Sequence, residues 1–394
     1  MRVPLLDLTE QYSALAEPLR AEVDDIFSTQ SFILGPKVRA FEEAIASYCG
    51  VPHAVGMSSG TDALLAVLMA LRIGVGDAVL TTAFTFFATG GCIARLGATP
   101  VFIDIDPATY NISPAALERH LEQCRREDDG RLVDSAGRTV RAIVPVHLFG
   151  LCCDMDAIIA VAKRFGLIVI EDAAQAIGAE YPTTNGSAKA GAIGAAGSFS
   201  FYPSKNLGAA GDAGLVICHD DAFAEKLRVC RQHGMEERYF HHSIGGNFRL
   251  DEIQAAVLNV KLPFLNRWLA ARRSVADFYR SEISRRGLAD VVQLPAEPYR
   301  AAGLTNHHIY HQYVIRTPQR DGLRAYLTSR QIGTAIYYPV ALHQQECFAY
   351  LGYREGDLPE TERACRETLA LPMFPELTSE QQQYVVESIA EFLV

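Results

Sequence analysis

The chain lacks several things, and each lack removes a class of function. It has no surplus of positive charge: 36 Lys and Arg stand against 46 Asp and Glu, a net charge of -10. Nucleic acid is therefore an unexpected partner, because no basic excess exists to neutralise its phosphates. A phosphorylated small molecule is not excluded, since it needs only a local anion site. No uncharged apolar run approaches the ~18 residues that a membrane span requires. Met1 to Glu10 has no apolar run behind Arg2, so no secretory signal is expected and the chain reads as cytoplasmic. Nine cysteines lie between Cys49 and Cys365, none in a CxxC pair. An odd number in such a chain points to free, buried thiols and gives no support for a metal centre. No GxGxxG follows the early strands, which leaves a nicotinamide-binding Rossmann unit little weight. Internal repeats and low-complexity segments are missing too.

What is present is ordinary globular material: 394 residues, 49% hydrophobic and 21% charged. That length exceeds one core, so two domains are expected. Short apolar runs alternate with helical patterns through the first two thirds. Strands are expected at His53–Met57, Ala78–Thr82, Thr99–Asp104, Arg141–Val146, Leu167–Glu171, Gly197–Phe201 and Gly214–Cys218. Helices fit between them, as at Thr61–Leu71 and Met155–Phe165. Such alternation predicts a mostly parallel sheet covered by helices. Strands apolar throughout, like Leu167–Ile170, fit burial on both faces. Two stretches break the rhythm: Glu122–Arg141 reads as an exposed hairpin or loop, and Pro182–Gly194 as a mobile loop. From about Lys261 a long charged helical pattern begins, followed by short strands and helices. The large domain is therefore drawn as 1–260 and a smaller one as 261–394.

Four constellations can carry chemistry. Ser58-Ser59-Gly60-Thr61-Asp62 sits between a strand and a helix, where free N–H groups and hydroxyls suit a phosphate; a plain helix cap would read the same. Glu171-Asp172-Ala173-Ala174-Gln175 ends an apolar strand, where ligands gather in parallel sheets. A carboxylate there can pair with a cationic heterocycle, or simply cap a helix. Ser198 to Asn206 closes a run of small and aromatic residues with Lys205. A lysine in apolar surroundings can lose its proton near neutral pH and act as a nucleophile, although most lysines are solvated surface charges. Gly245 to Asp251 offers an amide, a guanidinium and a carboxylate in a glycine turn before a helix.

Taken with Phe32-Ile33-Leu34-Gly35-Pro36, Thr85-Phe86-Phe87-Ala88-Thr89, Pro145 to Gly150, Tyr337-Tyr338-Pro339 and Leu342-His343, these motifs resemble the DegT/DnrJ/EryC1/StrS sugar aminotransferases over nearly the whole chain. The resemblance implies an α/β architecture of the pyridoxal-phosphate transferase type (fold type I), with a large, mostly parallel sheet domain and a smaller α/β C-terminal domain. It also implies pyridoxal 5'-phosphate as cofactor. Lys205 is expected to hold it as a Schiff base and to move the proton, and Asp172 to keep its ring nitrogen protonated. Phe86 would stack on the ring and Gln175 lie near its hydroxyl. Gly60, Thr61 and Ser200 would grip the phosphate, with Asn247 reaching in from a second subunit of a homodimer. Arg249, Tyr338 and His343 fall on the substrate side, although a satisfied structural histidine is the alternative for His343. The implied partners are L-glutamate, leaving as 2-oxoglutarate, and a nucleotide-linked keto-sugar. The Arg249-Leu250-Asp251 version of the fourth motif resembles the branch that acts on 3-keto sugars, which implies a 3-keto hexose. Amination of a 4-keto sugar or keto-cyclitol, and a non-catalytic regulatory role, are the alternatives. A dehydrating branch that replaces the lysine by histidine is disfavoured by Lys205 itself.

Overall fold

The computed structural model of the protein describes residues 1–393. At its centre is a nine-stranded sheet. Seven strands form its spine: β1 (His53–Met57), β2 (Asp77–Thr82), β3 (Thr99–Ile103), β4 (Thr139–Val144), β5 (Ile168–Asp172), β6 (Ala196–Ser200) and β7 (Gly214–Cys218). Their spatial order is β1-β7-β6-β5-β4-β2-β3. All neighbours are parallel except β7, which runs antiparallel to both β1 and β6. β1 and the parallel strands therefore end on the same side of the sheet. Ser59, Thr82, Asp172 and Ser200 lie at or just past that edge, where an α/β sheet presents its ligand site.

The strands are apolar on both faces because both faces are covered. Along β2, Ala78 and Leu80 join one core cluster and Val79 the other; along β7, Leu215 and Ile217 oppose Val216 and Cys218. The helix Met155–Phe165 shows how the sequence sets one of these covers. Asp154 caps its start by accepting from the Ala157 N–H, Lys163 and Arg164 end its last turn, and Gly166 closes it in the left-handed conformation. The chain then enters β5, whose last residue is Asp172.

The C-terminal part has its own core, built on a two-stranded antiparallel pair, Tyr313–Arg316 with Thr368–Leu371. Val3 packs into that core, and its backbone pairs with Ile332. The helix Leu265–Arg285 spans the change: Leu265, Trp268 and Leu269 pack on the sheet domain, while Val275, Ala276, Tyr279 and Ile283 pack on the C-terminal core. This helix thus packs on both cores, and the chain's first residues pack on the C-terminal one. A separate cluster joins Ala83, Phe84 and Phe149 from the sheet edge to Val314, Leu342 and Phe348 from the C-terminal part.

Pro182–Gly194, expected as a mobile loop, is ordered, and Glu122–Arg141 contains a short antiparallel pair, the hairpin that was one of its two readings. Glu180–Thr183 and Gly186–Lys189 form a hairpin with a two-residue connection, Thr184-Asn185, closed by a Lys189–Glu180 ion pair of 2.8 Å. Asn and Gly are favoured turn residues, and the segment is a formed hairpin rather than a loose loop. In the other stretch, Leu132–Val133 pairs with Arg125–Arg126 and, at Val133, with Thr139 of β4; Leu132, Val133 and Asp134 are buried. Most of the cysteines are buried and all are free. Among the described residues no helix is long and apolar enough to cross a membrane, and no group of His, Cys, Asp and Glu could hold a metal ion.

Candidate active site

The helix Gly60–Ala70 starts where β1 ends. Ser59 caps it by accepting from the Asp62 N–H at 3.0 Å, and the hydroxyls of Ser58 and Ser59 donate back to the Asp62 carboxylate. The plain-cap reading is thus realised for Ser59. It leaves the N–H groups of Gly60 and Thr61 without an acceptor among the described residues, as expected for a first helical turn. A Cβ on Gly60 would lie 2.6 Å from the Cβ of Ser200. Only glycine lets this turn approach β6 so closely, and the outcome is a small cradle lined by N–H groups and hydroxyls.

Asp172 ends β5 and is buried. Its Oδ2 accepts from the Thr89 hydroxyl at 2.8 Å and its Oδ1 from the Ala174 N–H at 3.2 Å. Its neighbour Glu171 points the other way. That carboxylate accepts from the N–H groups of Gly191, Ile193 and Gly194, and lies 2.7 Å from His147 Nε2. Because the Cys153 N–H donates to His147 Nδ1, the ring's proton sits on Nε2 and is given to Glu171. The sequence offered two adjacent acids; alternation along a strand sends one into the fold and one to the cleft.

Lys205 follows β6 in the turn Tyr202–Lys205. The side chain opens partly to the cleft, yet the protein around it lowers its pKa to about 8 by burial, against the opposing pull of Asp172. Near neutral pH a useful fraction of this amine is unprotonated. The ring of Phe86 is 57% exposed on the same edge of the sheet, with the Tyr338 ring at 6.5 Å. Phe86 heads the helix Phe87–Arg95, so its position is fixed by that helix's start. Gln175 is committed within the chain: Oε1 accepts from the Phe149 N–H at 2.8 Å, and Nε2 donates to the Tyr338 hydroxyl at 3.0 Å. Burial pushes the Tyr338 phenol up, so it stays protonated.

The fourth motif runs beside the first. Arg249 pairs through its backbone with Met57, and the Ser58 N–H donates to Phe248. The Nε of Arg249 is buried without a partner. Asn247 is exposed, its backbone paired with Gln232. Glu252 is buried and accepts from the N–H groups of Gly35, Lys37 and Val38, which ties the Phe32–Pro36 motif to this one. His343 is buried. Its side chain has no exposed surface and turns to Glu362, Nε2 to Oε1 3.1 Å. Its Nδ1 is buried without a partner. Reading the sequence also missed Thr89. The signal was available inside a quoted motif: Thr85 and Thr89 are one helical turn apart, on the turn that carries Phe86.

Together these groups suit one kind of ligand. A near-neutral amine can join an aldehyde, a buried carboxylate can face a cationic ring nitrogen, an exposed aromatic can cover a ring, and the Gly60 cradle can take a phosphate. Comparison with known proteins agrees. Residues 14–390 match the model of the DegT/DnrJ/EryC1/StrS aminotransferase family. The chain is 50% identical to the "pleiotropic regulatory protein" of Geobacillus stearothermophilus, covering 100% of this chain and 99% of that one. It is 42% identical to the UDP-N-acetyl-3-dehydro-alpha-D-glucosamine 3-aminotransferase of Acidithiobacillus ferrooxidans, over 96% and 95% of the two chains. Among solved structures, DesV of S. venezuelae with a ketimine intermediate superposes with a TM-score of 0.89 at 36% identity, covering 99% of this chain and 98% of that one.

Proposed function

The chain belongs to the DegT/DnrJ/EryC1/StrS aminotransferase family, and on that premise we propose that it moves an amino group from L-glutamate to a nucleotide-linked 3-keto hexose. It is an aminotransferase and uses pyridoxal phosphate. That cofactor supplies an electron sink, which lets a carbon beside nitrogen give up a proton. The protein supplies the rest. Lys205 Nζ would hold the cofactor and, as a near-neutral amine, would carry the proton that the exchange moves. Asp172, its carboxylate already fixed by Thr89 and Ala174, would hold the ring nitrogen of the cofactor. Phe86 would stack on the face of the ring. Gly60, Thr61 and Ser200 would receive the phosphate. Gln175 Nε2 holds the Tyr338 hydroxyl in place, and Arg249, with its unpartnered Nε, would receive an anionic group of the substrate.

The observation that carries the reading is the pairing of Lys205, with its pKa lowered to about 8, and a buried Asp172 at one sheet edge. The 3-keto preference draws support from the 42% relative, whose name states a 3-amination. Asn247, exposed in the fourth motif, is free to reach a second copy, which supports a homodimer with two sites. A regulatory role is the second reading, because a relative at 50% identity carries a regulatory name. One experiment separates the two. Purified protein with pyridoxal phosphate should lose its yellow band on adding L-glutamate, then convert a nucleotide-linked 3-keto hexose to its 3-amino product, followed by mass. An unmoved band favours the regulatory reading. Amination of 4-keto sugars alone removes the 3-keto assignment.

A further inference from the structure

The active-site acid is held by a side chain that no motif reading singled out. The hydroxyl of Thr89 donates to Asp172 Oδ2 at 2.8 Å. Thr85 and Thr89 are both buried, with their hydroxyl oxygens 3.1 Å apart. A threonine hydroxyl has a single proton. Since Thr89 gives its proton to Asp172, the short contact behind it is made by Thr85 donating to Thr89. The two hydroxyls thus form an ordered chain that ends on the carboxylate. With Oδ1 taken by the Ala174 N–H at 3.2 Å, the carboxylate is bound on both oxygens and its rotation is blocked. The Thr89 N–H also bonds back to the Phe86 carbonyl at 3.3 Å. One helical turn therefore sets both the exposed ring of Phe86 and the direction of Asp172.

We propose that Thr89, ordered by Thr85, is a positioning residue that fixes the Asp172 carboxylate for the cofactor's ring nitrogen. The inference rests on the aminotransferase reading only through the cofactor and needs no particular sugar. A hydrogen bond to a charged group is among the stronger kinds, so its loss is readable in cofactor affinity. The test measures pyridoxal phosphate dissociation by fluorescence titration, with the visible spectrum recorded at each step, for wild type, Thr89→Val, Thr89→Ser and Thr85→Val. Thr89→Val keeps the shape of the side chain and removes the hydroxyl. We expect affinity to fall about tenfold or more with an altered visible band, Thr89→Ser to return both to near wild type, and Thr85→Val to fall between. Should Thr89→Val fail to fold, Thr85→Val against Thr89→Ser decides by the same ranking. A wild type that binds while Thr89→Val or Thr85→Val binds equally, with the same spectrum, overturns the role of Thr89 and leaves the aminotransferase reading standing. A wild type that binds none overturns both.

Discussion

Two lysines in this protein lose basicity to the same degree, and only one is built for chemistry. Burial brings both Lys205 and Lys261 to about 8. Lys205 stands past the end of β6, with Asp172 pulling against the shift and the exposed ring of Phe86 on the same sheet edge. Lys261 ends the helix Glu252–Lys261. Its Nζ donates to the Gly208 carbonyl at 2.5 Å and lies 5.9 Å from the Trp268 ring, in a groove also lined by Leu15, Leu19 and Val257. Gly208 is three residues beyond Lys205, so one turn of chain separates the two settings. A lowered pKa marks a candidate site but does not make one. The amine at 261 is committed to a carbonyl; the amine at 205 is left open to a ligand.

The sharpest way to break this comparison is to remove each amine in turn. Lys205→Ala should abolish steady-state transamination, by at least about 10³-fold, since both attachment and proton transfer are lost. Lys261→Met should stay within about threefold of wild type, as expected for a change outside the active site. Comparable losses in both would dissolve the distinction. Asp172→Asn should come next, with turnover down about 10²-fold, because an amide gives the ring nitrogen no counter-charge. Preserved turnover in that variant would mean that the acid at the end of β5 has no part in the reaction.

A smaller effect reads the pKa itself. Only the unprotonated amine attacks an aldehyde, so the rate at which cofactor-free protein captures pyridoxal phosphate should rise with pH and level off above about 8. At pH 7 the rate should be about tenfold below the plateau, from the fraction of neutral amine. Lys261→Met should leave the midpoint where it is. A midpoint near the ordinary lysine value would show that the cleft does not desolvate Lys205 as described.

The contrast between the lysines also marks what a sequence can reveal. β1 and β7 have the bounds expected from their apolar runs, because strands buried on both faces leave an unbroken signal. Lys205 and Asp172 were legible for a related reason: each follows or ends such a strand, and topology then carries it to the binding edge. Lys261 reads as an ordinary charged residue opening the second domain, since nothing local records that Trp268 and the Gly208 carbonyl enclose it. His343 shows the same blindness. Its partner Glu362 is 19 residues away, and no periodicity announces a buried pair that distant. The Glu180–Lys189 hairpin failed differently: its Asn185-Gly186 turn was plain, but the small residues around it were weighed as looseness.

The least of these effects concerns stability at Lys261, and its sign can be worked out. In the folded protein this amine titrates near 8, against 10.5 for an ordinary lysine. Between those values the unfolded chain binds more protons than the folded one. Stability therefore rises with pH across that window and is flat, from this group, on either side. Lys261→Met has no such group, and the contribution of Lys205 is common to both proteins and cancels in their difference. The wild type's thermal midpoint, measured relative to Lys261→Met, should climb by a few degrees at most from pH 8 to pH 10.5. Curves that run parallel through that window would mean that solvent reaches the amine despite Trp268. Lys261 would then be an ordinary surface charge, and Lys205 alone would sit in a desolvating pocket.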